Sequence, residues 1–301
     1  MEAPRSATAP VVITDLDGTL LRPDGTLGLK TVQVVNDFIA AGGLFTYATA
    51  RSFTSAFRLT GKLNLTLPVI TYGGAVIVDP TTGSAREVTP LPAHLVEAVL
   101  TATRDSSQPQ PILFAMHDGR DRVCWLPERA SPFVDGFLGS RLKDPRLLPL
   151  TAWSDISAAS VFYISVIGHQ HALVRLRATL HETLASCHTI LTEDIYSPGD
   201  YWLELCATTG TKAAAIAALR DEFGADQLIC AGDNHNDMPM LAIADIGLAV
   251  GNAVAAVKQA ADEIIGTNVE EGVAEWIASR LLPPRPNPDQ SSRSLDRGHS
   301  Q

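Results

Sequence analysis

Residues 11–21 read Val-Val-Ile-Thr-Asp-Leu-Asp-Gly-Thr-Leu-Leu, an apolar run that stops at two acids. The β-branched start of this run predicts a buried strand. Because side chains alternate along an extended segment, we expect Asp15 and Asp17 on the same side. Two carboxylates this close raise a carboxyl pKa unless a cation lies between them, and Mg²⁺ prefers such oxygen ligands. The stretch predicts a metal site at a strand end; the alternative is a strand followed by a plain Asp-Gly turn.

Length and composition describe a globular protein of one large or two ordinary domains. Of 301 residues, 46% are hydrophobic and 19% are charged, so a packed core can form and global disorder is excluded. The formal net charge of −10 argues against a nucleic-acid-binding surface, which needs clustered lysine and arginine. It does not exclude an anionic substrate, because a bound metal and a few basic side chains can invert the local field.

Cysteine use and the N-terminal segment bear on the compartment. The four cysteines have no CxxC spacing, and three of them lie in apolar stretches, so we expect buried free thiols in a reducing compartment. Residues 1–10 lack the apolar core of a signal peptide, and no apolar run reaches the ~18 residues of a membrane span. We therefore expect a cytoplasmic protein without a membrane segment.

Strands and helices alternate along two stretches of the chain, 11–82 and 192–282, which predicts a doubly wound parallel sheet. The second stretch is expected to open with a core strand at 202–206. Between the two stretches, 83–191 mixes hairpins with helices, which predicts an inserted α+β domain of roughly a hundred residues. We expect disorder in the lead, 1–10, and in a C-terminal tail, 283–301, that is rich in Pro, Ser and Arg.

A second acidic cluster lies in Gly232-Asp233-Asn234-His235-Asn236-Asp237. Asp233 ends an apolar run, as Asp15 does, and Asn236 and Asp237 follow on the first turn of a helix that faces back toward it. Asp15 and Asp17 at the first strand end and Asp233 at the second then offer three carboxylates to one divalent ion. The alternative is a capped loop in which Asp237 serves only the helix N-terminus.

Two further positions suggest contacts with an anion. Thr49 and Ala50 end the second predicted strand, and the Thr49 hydroxyl and the following N–H could hold a phosphate oxygen at a helix start; a plain helix cap is the alternative. Lys212 lies in the first turn of a helix, where the helix dipole disfavours a cation. We interpret it as a lysine with an anionic partner, with an exposed surface lysine as the alternative.

Together these segments resemble the haloacid dehalogenase superfamily of phosphohydrolases, and most closely its Cof-type group, which carries a large C2-type α+β cap. The likeness covers about residues 11–282 and is most specific at 15–21 and 232–241. Segments 250–253 and 271–274 are similar to the closing signature of that group. The resemblance implies a Rossmann-like, doubly wound core with the cap inserted into it.

The resemblance also implies catalytic and metal-binding roles. Asp15 would be the nucleophile that forms an aspartyl-phosphate, and Asp17 would be the general acid and then the general base. Mg²⁺ would be held by Asp15, by the main-chain carbonyl of Asp17 and by Asp233. Asp237 would support these ligands or add a further carboxylate facing the metal.

Five positions would bind the transferring phosphoryl group by the same resemblance. The side chains of Thr49, Lys212 and Asn236 and the main-chain N–H groups of Leu16 and Ala50 would contact its oxygens. A transition state that spreads charge over three oxygens suits a cation together with several fixed donors.

Two positions depart from the family pattern. The family usually has Thr-Gly-Arg where this chain has Thr49-Ala50-Arg51, and alanine keeps the N–H but requires an ordinary φ. The family often has Asn-Gly where this chain has Gly73-Gly74. A contact from that asparagine is absent, so the usual substrate preference is not carried over.

In the predicted cap, the charges at 117–122 are interpreted as a solvated turn rather than a sugar-recognition patch. Tyr201 and Trp202 are interpreted as packing residues rather than a stacking platform.

The function implied is a Mg²⁺-dependent phosphatase of small phosphorylated metabolites, either sugar phosphates or phosphorylated cofactors. The alternatives are a related capped enzyme, such as a mannosyl-3-phosphoglycerate or sucrose phosphate phosphatase or a phosphosugar mutase, and a non-catalytic metabolite-binding protein. We expect a monomer or homodimer whose partner is a small metabolite, with neither nucleic acid nor a membrane bound.

Overall fold

The computed structural model describes four stretches of the chain: residues 9–105, 107–139, 141–194 and 197–283. The lead and tail expected to be disordered lie almost wholly outside the described residues. Within them, no helix combines the length and the apolar character needed to cross a membrane.

The secondary structure alternates as predicted at both ends of the chain. The strands are β1 (Val11–Thr14), β2 (Leu44–Tyr47), β3 (Val69–Thr71), β4 (Val76–Val78), β5 (Ala85–Val88), β6 (Pro111–His117), β7 (Arg120–Trp125), β8 (Leu147–Pro149), β9 (Val161–His169), β10 (Cys187–Glu193), β11 (Asp200–Ala207), β12 (Leu228–Gly232), β13 (Ile246–Val250) and β14 (Glu263–Ile265). The α-helices are α1 (Leu29–Ala40), α2 (Phe53–Thr60), α3 (Ala93–Ala102), α4 (Pro132–Gly139), α5 (Gln170–Thr179), α6 (His181–Leu184), α7 (Lys212–Phe223), α8 (Met238–Ala242), α9 (Ala255–Ala260) and α10 (Gly272–Arg280).

The first sheet is parallel and has β1 inside it, in the order β14-β13-β12-β1-β2. Thr14, the last residue of β1, is level with Tyr47 of β2 and with Ala231 of β12, so the three strands end at one edge. Every residue of β1 is buried, as expected for a parallel strand covered on both faces. The predicted doubly wound α/β core is confirmed.

A short antiparallel hairpin widens this core. β3 joins β2 through a parallel bridge between Ala48 and Ile70; β4 pairs antiparallel with β3, and β5 pairs antiparallel with β4. The turn after β3, Tyr72-Gly73-Gly74, therefore emerges at the same sheet edge as the ends of β1 and β2.

The second sheet has six strands in the order β10-β11-β9-β6-β7-β8, antiparallel except for the β7–β8 pair. Helices α3, α5 and α6 cover one face and enclose a separate apolar core that includes Leu113, Ile164 and Leu205. On the other face, Ile112 and Phe114 belong to the buried cluster of the parallel sheet. This sheet with its helices is the inserted α+β cap, which is confirmed.

The structure differs from our expectation at residues 202–206. β11 does not return to the parallel core but pairs antiparallel with both β9 and β10, so the cap sheet extends to Ala207. The sequence carries the reason: Leu203 and Leu205 are buried, while Trp202 before them and Glu204 between them are only partly buried. Such alternation is typical of an antiparallel strand, whereas parallel core strands are continuously apolar.

The chain leaves and re-enters the parallel-sheet unit at neighbouring points. At the exit, Thr89 donates its N–H to the carbonyl of Ala75 at 2.8 Å. At the return, a Cβ built on Gly210 would lie 3.5 Å from the Cα of Ala75. The two crossings between core and cap are therefore side by side.

Candidate active site

The common edge of the parallel sheet gathers most of the predicted site residues. Asp15 directly follows β1, and Asp233 directly follows β12. Thr49 is the second residue after β2. Lys212 is the first residue of α7, and Asp237 ends the one-turn helix His235–Asp237. The site is therefore assembled from both halves of the chain.

A buried lysine ties the two halves together. Lys212 Nζ lies 2.6 Å from Asp15 Oδ1 and 2.7 Å from Asp237 Oδ1, and the lysine is only 3% exposed. A buried ammonium at a helix N-terminus is unfavourable without such partners. The anionic partner expected for Lys212 thus consists of protein carboxylates in this structure, and an exposed surface lysine is excluded.

Burial dominates the electrostatics of this group. It raises the pKa of the Asp15 carboxyl from 3.8 to about 7, although the charge of Lys212 and a hydrogen bond from the Leu16 backbone act against it. For Lys212, burial lowers the pKa, but the neighbouring carboxylates outweigh burial and raise it overall. Burial also raises the pKa of Asp233, opposed by a hydrogen bond from Thr19.

Asp237 supports the loop that carries Asp233. Its Oδ2 accepts the backbone N–H groups of Asp233 at 3.0 Å and of Asn234 at 3.1 Å, while its Oδ1 faces Lys212. The side chain is completely buried. Asp237 therefore caps its own turn, as in our alternative interpretation, and also holds Lys212 in place.

Three carboxylates form a group that fits a divalent cation. One oxygen each from Asp15, Asp233 and Asp237 lies within 4.8 Å of the others. Three negative charges against the single positive charge of Lys212 leave two unbalanced when all are ionised. Hard oxygen donors with this charge deficit suit Mg²⁺. The Asp17 carboxylate is not part of this group, so Asp17 could serve a metal here only through its backbone.

Asp17 has a different cation as its partner. Arg51 Nε and Nη2 each donate to one oxygen of Asp17 at 2.7 Å, which makes a two-pronged ion pair. The Asp17 side chain is 51% exposed. β1 ends at Thr14 and the turn Leu16–Leu20 begins before Asp17, so the alternation of an extended strand does not continue to Asp17. Gly18 in this turn adopts φ +80°. Any Cβ on Gly18 would lie 2.5 Å from Asp233 Oδ2, so this turn requires glycine.

The remaining predicted residues lie around this centre. Thr49 is buried and accepts the N–H of Arg51 at 3.1 Å, while Ala50 is exposed beside it. Leu16 is fully buried behind Asp15. Asn236 is exposed on the turn that presents Asp237, so its side chain is not part of the buried Asp15–Lys212–Asp237 cluster.

Sequence reasoning missed two contacts. The pairing of Arg51 with Asp17 spans 34 residues, and the donation from Thr19 Oγ1 to Asp233 Oδ1 at 3.0 Å spans 214. Arg51 directly follows the Thr49-Ala50 pair, and Thr19 ends the Asp17-Gly18-Thr19 motif. The presence of a polar residue in each motif was the available signal, but the residue that it contacts could not be identified without the fold.

Comparison with known proteins agrees with this geometry. A family profile described as haloacid dehalogenase-like hydrolase matches residues 12–277. The chain belongs to the haloacid dehalogenase-like hydrolases. Within that superfamily it is a Cof-type phosphatase, as the sequence predicted.

Several curated relatives of this hydrolase are phosphatases by name. It is 24% identical over 274 residues to the 5-amino-6-(5-phospho-D-ribitylamino)uracil phosphatase YitU of Bacillus subtilis, covering 90% of this chain and 97% of the relative. It is 30% identical over 252 residues to the HMP-PP phosphatase of Cronobacter sakazakii, covering 80% of this chain and 83% of the relative.

Solved structures share its fold. A haloacid dehalogenase-like hydrolase from Bacteroides thetaiotaomicron superposes with a TM-score of 0.75 at 23% identity, covering 90% of this chain and 99% of the other. A protein from Thermotoga maritima gives a TM-score of 0.75 at 20% identity, covering 91% and 98% of the two chains.

Proposed function

We propose that this hydrolase is a Mg²⁺-dependent phosphatase that cleaves small phosphorylated metabolites, either sugar phosphates or phosphorylated cofactors and their precursors, through a covalent intermediate on Asp15. The observation that carries the proposal is the buried Asp15 carboxylate at the sheet edge, held by Lys212 at 2.6 Å and grouped with two further carboxylates. The phosphatases named among the relatives support the substrate class.

Asp15 is the proposed nucleophile. Lys212 fixes the direction of its carboxylate, and the charge of the lysine lowers the Asp15 pKa against the effect of burial. A carboxylate oxygen attacks phosphorus, the bond from phosphorus to the ester oxygen breaks, and an aspartyl-phosphate forms. Water then attacks that phosphorus, inorganic phosphate leaves, and the carboxylate is restored.

Asp17 is the proposed proton carrier. It gives a proton to the departing ester oxygen in the first step and accepts one from the attacking water in the second. Its half-exposed position at the end of the turn suits this role better than the buried position of Asp15. The ion pair with Arg51 holds Asp17 in place and must loosen while the proton is carried.

The phosphoryl oxygens need cationic and N–H donors. Thr49, Lys212 and Asn236 and the backbone N–H groups of Leu16 and Ala50 are the proposed contacts. Asp15, Asp233 and the Asp17 backbone carbonyl would hold Mg²⁺, with Asp237 supporting Asp233. When bound, the cation would neutralise charge on the transferring group.

The decisive experiment measures phosphate release from sugar phosphates, nucleotides and phosphorylated cofactors, with Mg²⁺ and with a chelator. We expect release that requires Mg²⁺ and that Asp15→Asn abolishes, because the amide keeps the shape but cannot attack phosphorus. Circular dichroism of Asp15→Asn should match the wild type. Near-normal turnover by a folded Asp15→Asn protein would refute the covalent mechanism. The cytoplasmic location and the monomer or homodimer expected from the sequence remain predictions.

A further inference from the structure

Tyr72 has a backbone conformation unusual for its residue type. It adopts φ +51°, in the left-handed region where a bulky side chain is strained, and it is only 5% exposed. It opens the turn between β3 and β4, next to the two glycines where the family pattern departs. Strain of this kind persists only where the surroundings fix it.

The backbone of this turn is bonded to the proposed phosphate loop. The N–H of Tyr72 donates to the carbonyl of Arg51 at 3.0 Å, and the N–H of Gly73 donates to the carbonyl of Thr49 at 2.9 Å. On its other side the turn touches the start of α7: a Cβ on Gly74 would lie 2.1 Å from the carbonyl carbon of Thr211. The turn thus contacts the segments that carry Thr49, Arg51 and Lys212.

The Tyr72 side chain contacts the cap. Its hydroxyl donates to Asp121 Oδ2 at 2.7 Å and accepts from Arg146 Nη1 at 2.6 Å. Arg146 is itself fixed by Asp144 at 2.6 Å. Asp121 was expected in a solvated turn. It instead accepts a hydrogen bond from Tyr72, a residue of the core.

Aromatic packing strengthens the same connection. The Tyr72 ring lies edge-on to Phe162 at 4.9 Å and to Phe114 at 5.7 Å between centroids, and it is 6.2 Å from Tyr163. These rings belong to two strands of the cap sheet, β6 and β9. Edge-to-face pairs have specific geometry, so the tyrosine is held in one orientation toward the cap.

A cavity beside Tyr72 shows that the boundary is not sealed there. It has a volume of about 420 Å³ and is lined by Tyr72, by Val76 and Val78 of β4, and by Asp121 and Arg146 of the cap. Core and cap are therefore separated at this cavity, and Tyr72 bridges them at the edge of the cavity.

We propose that Tyr72 is a positioning residue that couples the placement of the cap to the geometry of the loop containing Thr49 and Arg51. The inference rests on the proposed function, since that loop is taken to bind the phosphoryl group. A cap movement would shift the Tyr72 hydroxyl and ring, and through two backbone hydrogen bonds it would shift the loop. A substrate whose leaving group contacts the cap would therefore fix the position of the cap, and through Tyr72 the position of the loop that contains Thr49 and Arg51.

The test compares Tyr72→Phe with the wild type on acetyl phosphate, whose leaving group is too small to engage the cap, and on pyridoxal 5′-phosphate and glucose 6-phosphate. Loss of hydrogen bonds to two charged groups should lower kcat/KM for the larger substrates on the order of tenfold. Acetyl phosphate should change by less than about twofold. A purely structural role would lower all three equally.

Tyr163→Phe is the matched control. It also removes one hydroxyl from the same aromatic cluster, but that hydroxyl is hydrogen-bonded to Glu204, another residue of the cap sheet. We expect it to leave the ratio of large to small substrates near the wild-type value. An unchanged ratio in Tyr72→Phe, or an equal change in both variants, would overturn the coupling.

Hydrogen exchange provides a readout independent of turnover. In Tyr72→Phe, the amides of Tyr72's position and of Gly73, which bond to Arg51 and Thr49, should exchange faster than in Tyr163→Phe. Equal exchange in the two variants would also overturn the coupling. If the wild type hydrolysed no phosphoester at all, the proposed function would fail, whereas exchange would still decide whether cap and loop are coupled.

Discussion

Two acids separated by one residue have opposite environments here. Asp15 is buried against Lys212, whereas Asp17 is half exposed against Arg51. The difference follows from the end of β1 at Thr14 and from the turn Leu16–Leu20, which begins between the two acids. One motif thus supplies a desolvated carboxylate and a solvated one, the combination that the two-step transfer proposed above would use.

The two ion pairs predict different costs of removal. Lys212→Met leaves two buried carboxylates without their cation and should lower the free energy of unfolding by about 3–5 kcal/mol. Arg51→Met removes a half-exposed pair and should cost less than about 1 kcal/mol. Urea unfolding without added metal measures both. Equal losses in the two variants would contradict the assigned burial.

At the residue scale, the sequence identified the strand-end acids and the unusual lysine, because both are local signals. It did not reveal that Arg51 pairs with Asp17 or that Asp237 holds Lys212. Those contacts depend on the order of strands in the sheet, which places the ends of β1, β2 and β12 together.

At the scale of elements, the carboxylate of Glu271, which lies far along the chain, caps the first turn of α1. Glu271 Oε2 accepts the N–H and the hydroxyl of Thr31, both at 2.7 Å, and its other oxygen pairs with Arg22. Gly28, the N-terminal capping residue of helix α1, has no side chain that could accept these hydrogen bonds, and a Cβ there would lie 2.0 Å from Glu271 Oε2. An acid near a helix N-terminus is also favoured by the helix dipole. Glu271, the first residue of the 271–274 segment, therefore has a structural role.

This contact predicts a dependence of stability on pH. Burial opposes ionisation of Glu271, but the hydrogen bonds from Thr31 and the charge of Arg22 outweigh it and lower its pKa below 4.5. The unfolded chain then binds a proton before the folded one does, so the stabilisation is present above pH 4.5 and is lost as the pH falls through the folded pKa. Glu271→Gln should cost about 1.5–3 kcal/mol at pH 7 and less once the pH falls below the folded pKa of Glu271. Urea unfolding across this range measures it; a cost independent of pH would contradict the assignment.

Element boundaries also show where sequence reasoning reached its limit. The sequence predicts the strand at 202–206 but not its sheet, because the order of strands and helices along the chain does not specify pairing; the alternation of Leu203, Glu204 and Leu205 is the signal of an antiparallel strand. Pairing with β9 and β10 decided its membership.

At the scale of the molecule, a divalent ion should link the two halves of the chain. Asp15 precedes the cap in sequence and Asp233 follows it, so an ion shared by them stabilises the folded state alone. Mg²⁺ at 100 times its dissociation constant should add about 2.7 kcal/mol to stability. Thermal unfolding with and without Mg²⁺ measures this gain.

Asp233→Asn should lose most of the gain, while Asp17→Asn should keep it, because the Asp17 carboxylate faces Arg51 rather than the acidic group. A gain lost equally in both variants would mean that the Asp17 side chain is a ligand after all.

The two crossings beside Ala75 have a consequence for how such a protein can change over generations. An insertion whose ends lie together can be lengthened, exchanged or excised while the strands that carry Asp15 and Asp233 keep their register. The proposed reacting groups all belong to the parallel-sheet core, whereas most of the new surface would belong to the inserted cap. Inheritance can therefore alter what is recognised without altering how the bond is broken.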